Sequence, residues 1–376
     1  MQDTKPIVTS RFAPPGERYA SLLPVQDTAI LSTLGEGNTP LIRSGYFSRE
    51  LNIPELYFKL ENTNPTGSFK DRIMACEVSL MRQRGCRVCL GPSTGNAGAA
   101  LAAYAARFGI RCYIFATENA DAGKLQQMLF HGARVQRIQG FGVSSQHTEE
   151  VFAALKQVAD RSGAHLVCSA FQYNALGMEA VKTISFEICE QLQDTPNSVF
   201  LPIAGGGLLS ATWKGFQTFH HLGKIHRLPS MNGVQSAGCP TVTRAVQEGG
   251  RAPSPQPSTT SIGALAAPFA PDGQLAVQSI VESGGWGYDP TDDEIYSAQR
   301  MLARNEGIYA EPIGAASVAG LIQAQRQKSI DPEDRIVCVI TGHGFKDPES
   351  VARANQNVVI SSVDIDQLLQ QRFLPD

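Results

Sequence analysis

From residue 56 to residue 220 the chain alternates short apolar runs with stretches of helical period, and this alternation narrows the folds open to it. "LYFKL" (56–60), "RVCLG" (87–91), "IRCYIFA" (110–116), "ARVQRI" (133–138), "HLVCSA" (165–170) and "SVFLPIA" (198–204) read as strands. Between them lie helical stretches at 71–84, from the loop "PSTGN" to Gly109, and at 122–131, 148–161, 177–192 and 208–220. Ile73, Cys76 and Leu80 recur at i, i+3 and i+7, which places them on one face of the first of these helices. Short strands separated by helices of this length form βαβ units, so the expected class is α/β with mostly parallel sheets. With 376 residues the chain can form one large or two ordinary domains.

Parallel sheets of this kind bind ligands beyond the carboxyl ends of their strands. Three loops at such ends have unusual composition. In "IAGGGLLSATWKGF" (203–216) three glycines close a strand and open a helix, so the backbone N–H groups can converge on a phosphate. A plain tight turn is the other reading. G-x-G-x-x-G is not present there and no Walker lysine follows, which disfavours a nucleotide. In "GPSTGNAG" (91–98) Ser, Thr and Asn at a helix start suit a carboxylate, and serve equally well as caps. In "VCVITGHGFKDPE" (337–349) a buried strand ends at Thr341, whose hydroxyl can meet a ligand; His343 beside it reads as structural.

The segment "NPTGSFKDR" (64–72) puts Lys70 at a helix start, where the helix dipole disfavours an ammonium and favours the neutral amine. A phosphate cradle, a carboxylate loop, a strand-end hydroxyl and such a lysine together match the needs of pyridoxal phosphate, which requires a lysine for its Schiff base.

The remaining features exclude other classes. A net charge near −3 with mixed signs leaves no footprint for nucleic acid or an anionic membrane, so a small molecule is the expected partner. Eight scattered cysteines, mostly in apolar runs, read as buried thiols; the lone C-x-x-C of Cys86 and Cys89 lacks a second ligand pair, and no metal site is expected. The first residues carry no apolar signal segment and no window is long enough to span a membrane, so a cytoplasmic protein is expected. Residues 251–263, "RAPSPQPSTTSIG", read as a surface flap.

In collinear order "GEGNTPL" (35–41), "NPTGSFKDR", "STGNAG" (93–98), "GGGL" (205–208), "NEGIYAEPIGAASVAG" (305–320) and "TGHGFKDP" (341–348) resemble the second fold type of pyridoxal-phosphate enzymes, the tryptophan-synthase-β-like group. Within it the chain most resembles threonine synthases, through "GEGNTPL" and "TGHGFKDP". The resemblance implies two open α/β domains with the cofactor in the cleft between them. By it, residues 1–34 form an N-terminal arm, 35–92 and 181–353 a large discontinuous domain, 93–180 a small mobile domain and 354–376 a tail. A homodimer is implied, with the arm a candidate for the contact.

The resemblance also implies site roles. Lys70 would carry the cofactor, with Phe69 beside its ring, and Asn96 would bond its 3′-oxygen. Backbone amides of Ala204, Gly205, Gly206, Gly207 and Leu208 would hold its phosphate, and Thr341 would meet the pyridine nitrogen. Ser93, Thr94 and Gly95 would lie against the substrate carboxylate. The implied reaction releases phosphate from O-phosphohomoserine and adds water to give threonine. Two departures stand out: "SAFQYNALGMEAVKT" (169–183) lacks the arginine of the Asn-Pro-x-Arg segment common in that family, and "AGGGLL" lacks its asparagines. Arg111, Arg134 or Lys124 could compensate, with surface charge the first reading of each. The departures keep open an ammonia-lyase acting on serine, threonine or 2,3-diaminopropionate, and a β-replacement enzyme using O-phosphoserine.

Overall fold

A computed structural model describes residues 13–370 apart from 26, 119, 121, 143, 251 and 361. Residues 1–12 of the expected arm and 371–376 of the expected tail lie outside the described residues.

Among the described residues, ten strands form two sheets. The larger sheet contains β1 (Leu41–Arg43), β2 (Leu56–Lys59), β7 (Ser198–Pro202), β8 (Ser230–Val234), β9 (Gly287–Tyr288) and β10 (Ile336–Val339), in the order β1-β2-β10-β7-β8-β9. Only β1 runs antiparallel to its neighbour. Every residue of β7 and β10 is buried, as a parallel sheet covered on both faces requires. The smaller sheet contains β3 (Val88–Pro92), β4 (Arg111–Thr117), β5 (Arg134–Ile138) and β6 (His165–Leu166), all parallel, in the order β5-β4-β3-β6.

Three sequence expectations are corrected. A boundary at residue 92 assigns β3 to the larger unit, yet it is an inner strand of the smaller sheet. Pairing decides this: β3 bonds both β4 and β6, and no strand of the larger sheet. The strand expected over 165–170 is regular only at His165–Leu166. The helix expected at 177–192 is a short helix Ala175–Met178, a 3-10 turn Glu179–Lys182 and a helix Thr183–Leu192.

The helices that matter for the site are α1 (Lys70–Gln83), α2 (Asn96–Arg107), α3 (Ala122–Phe130), α4 (Thr183–Leu192), α5 (Gly207–His221), α6 (Gly273–Glu282) and α7 (Pro312–Arg326). α1 is fixed by a buried ionic cluster. Arg72 donates to Glu61 at 2.7 and 2.8 Å and to Glu187 of α4 at 2.6 and 2.8 Å. Lys59 of β2 donates to Glu187 at 2.6 Å and to the Thr39 carbonyl at 2.8 Å. The "GEGNTPL" loop closes this cluster rather than the ligand cleft. Thr39 donates to Glu61, the Asn38 N–H to Glu187, and Glu36 accepts from the Tyr104 hydroxyl of α2. The described part of the arm packs on its own chain: the Tyr19 ring lies 5.0 Å from Phe186 and its hydroxyl donates to Glu190.

Candidate active site

Lys70 is the first residue of α1, and the backbone before it is clamped to the end of β10. Ser68 bridges Gly342, and the Phe69 N–H donates to the Thr341 carbonyl at 3.2 Å. Residues 68–70 and 341–342 thus meet although they lie far apart in the chain. The Lys70 Nζ donates to Ser169 Oγ at 2.9 Å and lies 4.6 Å from the centre of the Phe69 ring, which is itself buried in the core. Burial pushes the Lys70 ammonium down to about 8, against the opposing carboxylates of Asp272 and Glu311. The neutral amine is therefore accessible near neutrality.

The glycine turn after β7 has open donors. Among the described residues, the N–H groups of Ala204, Gly205, Gly206, Gly207 and Leu208 donate to no protein acceptor. Gly206 has φ +98°, and a Cβ there would come within 2.5 Å of the Asp272 carbonyl oxygen. Glycine is required both by that conformation and by the close approach. A Cβ at Gly207 would meet the Asp272 carboxylate at 2.6 Å.

Thr341 is 2% exposed, and its Oγ1 is a buried polar atom with no partner; Ser68 Oγ is another. A buried hydroxyl without a partner is costly unless a ligand completes it.

Across the cleft, Asn96 opens α2 and its Nδ2 donates to Glu311 Oε1 at 2.7 Å, linking the smaller-sheet helix to the start of α7. Ser93 accepts from the N–H groups of Gly95 and Gly98, at 3.3 and 2.9 Å. Its oxygen therefore serves as a cap of the loop, whereas Thr94 and Gly95 line a cavity of about 130 Å³. That cavity is also lined by Asn96, Gln127, Glu311 and Lys346, and by Ile262–Ala264, so the end of the flap does reach the cleft. His343 has a structural role: it caps the turn Gly344–Lys346 and packs edge-on against Tyr309.

Sequence reasoning did not find Ser169, Asp272, Glu311 or Lys346 as neighbours of Lys70 or of the cleft. Asp272 accepts from the N–H groups of Phe171 and Gln172 at 2.8 and 3.0 Å. These amides belong to the segment without the family arginine. Arg111 and Arg134 are exposed on the smaller sheet, and the side chain of Lys124 lies outside the described residues.

A lysine driven toward its neutral form, open amides on a glycine turn and an unpartnered buried hydroxyl fit pyridoxal phosphate: amine, phosphate and pyridine nitrogen each find a counterpart.

Comparison with known proteins agrees. Residues 32–342 match the family model described as "Pyridoxal-phosphate dependent enzyme". The chain is 39% identical to a threonine synthase of Methanocaldococcus jannaschii, over 96% of this chain and 87% of that one. It is 36% identical to a threonine synthase of Halalkalibacterium halodurans, over 95% of each. Among solved structures it is similar in fold to maize serine racemase, with a TM-score of 0.71 and 20% identity, over 85% of this chain and 92% of that one. A fungal L-serine ammonia-lyase from Rhizomucor miehei gives a TM-score of 0.70 and 19% identity, over 86% of this chain and 99% of that one. The chain belongs to the pyridoxal-phosphate-dependent enzyme family and is a threonine synthase-like lyase of its second fold type.

Proposed function

We propose that the chain converts O-phosphohomoserine to threonine and inorganic phosphate. The supporting observation is Lys70, an amine biased toward neutrality that follows Phe69, bonded to Thr341, and feels the charges of Asp272, which lies against the glycine turn, and of Glu311, which holds Asn96. The near full-length identity to threonine synthases supports the same reading.

When bound, pyridoxal phosphate supplies an electron sink for the negative charge that develops on the substrate. The chain's residues do the rest. Amides of Ala204 to Leu208 hold the cofactor phosphate, and Asn96 uses its second N–H for the 3′-oxygen. Thr341 offers a neutral hydroxyl to the pyridine nitrogen, which suits an elimination, where departure of phosphate relieves charge quickly. Thr94 and Gly95 receive the substrate carboxylate, with Ser93 holding their loop in shape. The Lys70 amine removes the Cα proton and moves protons at Cβ and Cγ, steered by Ser169. Phosphate leaves from Cγ, and water adds at Cβ. The unit built on the smaller sheet closes over the substrate to exclude water until that step. The working form is a cytoplasmic homodimer.

The reading is tested by incubating the holoenzyme with O-phosphohomoserine and measuring phosphate and threonine. Equimolar release of the two supports it. Oxo-acid and ammonia from serine, threonine or 2,3-diaminopropionate, with no phosphate release, would replace it with an ammonia-lyase.

A further inference from the structure

The substrate of the proposed reaction carries a second phosphate, and residues 169–183, which reach Lys70 through Ser169, contain no arginine to receive it. Nor are the amides of Phe171 and Gln172 open. The Asp272 carboxylate, on a residue only 2% exposed, takes the N–H groups of both Phe171 and Gln172. An anion brought there would lose those donors and face a buried like charge.

The cavity lined by Thr94, Gly95 and Asn96 differs. Lys346 lines the same cavity as Thr94, Gly95 and Asn96. Its aliphatic stem runs against the lysine-bearing loop, where a Cβ at Gly67 would sit 3.5 Å from its Cε. Its Nζ donates to Gln127 Oε1 at 2.7 Å, and the Gln127 amide is held by the Thr66 carbonyl. An ammonium has three donors, so one bond to Gln127 leaves capacity for a ligand. Two carboxylates act on this ammonium: Asp71, which burial pushes up to about 7, accepts from the N–H and hydroxyl of Thr66, and Glu311, which lines the same cavity, accepts from Asn96. Lys346 is also the lysine of "TGHGFKDP", a motif that the cofactor site leaves unused beyond Thr341.

We infer that Lys346, oriented by Gln127 in the cavity that Thr94 also lines, binds the phosphate of the substrate. This rests on the O-phosphohomoserine reading but concerns binding, so it can be tested apart from turnover. Lys346 is a substrate-binding residue that sets selectivity for a phosphorylated amino acid. Asp272 keeps that phosphate from the Phe171 side.

The test compares wild-type holoenzyme with Lys346→Gln and Lys346→Arg, following the change in cofactor absorbance on titration with O-phosphohomoserine and, separately, with homoserine. The unliganded cofactor spectrum verifies that each variant is folded and loaded. Loss of one charge-assisted contact should weaken O-phosphohomoserine binding about ten- to a hundredfold in Lys346→Gln. Homoserine binding should be unchanged, and Lys346→Arg should restore most of the affinity for the phosphorylated ligand. Equal weakening for both ligands, or none for O-phosphohomoserine, overturns the assignment, as does a wild type that does not bind O-phosphohomoserine. If the wild type binds it with this dependence yet releases no phosphate, the site stands and the proposed reaction falls. Should Lys346→Gln not load cofactor, the Gln127→Leu variant is titrated instead, and a selective loss for the phosphorylated ligand is again expected.

Discussion

The Nζ of Lys70 donates to Ser169 Oγ at 2.9 Å, tying the first residue of α1 to the segment just after β6. The bond joins a helix start clamped to Thr341 and Gly342, just after β10 of the larger sheet, to a segment leaving the smaller sheet, so elements of both sheets aim the amine.

Cofactor attachment to the apoprotein should follow the neutral amine. The Lys70 ammonium is pushed by burial from 10.5 to about 8. The rate of attachment, read as growth of the visible absorption band, should therefore rise with pH through about 8 and level off above it. Linkage has the same sign. Between about 8 and 10.5 the unfolded chain holds a proton that the folded chain has released, so this group's contribution to apoprotein stability rises with pH in that window. Lys70→Ala should show no lysine-linked band at any pH. An attachment rate flat across this range would contradict the placement of the amine.

The buried cluster behind α1 should be sensitive to losing one partner and tolerant of losing none. Arg72→Met leaves Glu61 and Glu187 buried without their guanidinium, which should destabilise the fold by about 3–5 kcal/mol, measured by denaturant unfolding. Arg72 and Lys59 hold the Glu187 carboxyl far below the ordinary carboxylate range despite its burial, and Arg72 lowers that of Glu61. Their contribution is complete above the unfolded carboxylate range and is lost as pH falls below it. Stability of the wild type should thus fall on acidification more steeply than that of Arg72→Met. Parallel acid profiles for the two would remove the cluster from this role.

The parts of this architecture that were legible in sequence are those written in local pattern. The helix start at Lys70, the glycine turn at 205–207 and the strand ending near Thr341 each follow from neighbours within a few residues. The parts that were not legible depend on tertiary pairing. Ser169 lies 99 residues from Lys70, and Asp272 reaches Phe171 across 101 residues, with only the proline-rich context of "APDGQ" to mark it. β3 has a clear strand pattern, but only its pairing with β4 and β6 assigns it to the smaller sheet. Ser93 carries two readings in sequence, and hydrogen bonds from Gly95 and Gly98 show its capping part.

Gly206→Ala should damage phosphate retention more than the fold. The φ of +98° and the approach to Asp272 at 2.5 Å mean that a methyl group must displace the α6 N-terminus or the glycine turn. Strain of this kind costs about 1–3 kcal/mol, a tolerable loss for a chain of this size. The turn's amides would no longer converge, so pyridoxal phosphate should dissociate much faster, whereas binding of pyridoxal without its phosphate should change little. Dialysis followed by absorbance checks both, and equal loss of the two ligands would point to general unfolding instead.

Thr341→Val separates a ligand contact from a structural one. The Thr341 hydroxyl is buried and unpartnered, so replacing it with a methyl of the same shape removes an unsatisfied polar atom from the apoprotein. The apoprotein should melt at the same temperature as wild type or slightly above it. With cofactor bound, the variant would lack the hydrogen bond proposed to the pyridine nitrogen, and the stabilisation given by the cofactor should shrink by about 1 kcal/mol. Its absorption band should shift as well, because the ring nitrogen then lacks a donor. Melting curves of both forms distinguish the cases: a hydroxyl needed only for the fold would lower both melting temperatures equally, while one completed by the ligand lowers the loaded form alone.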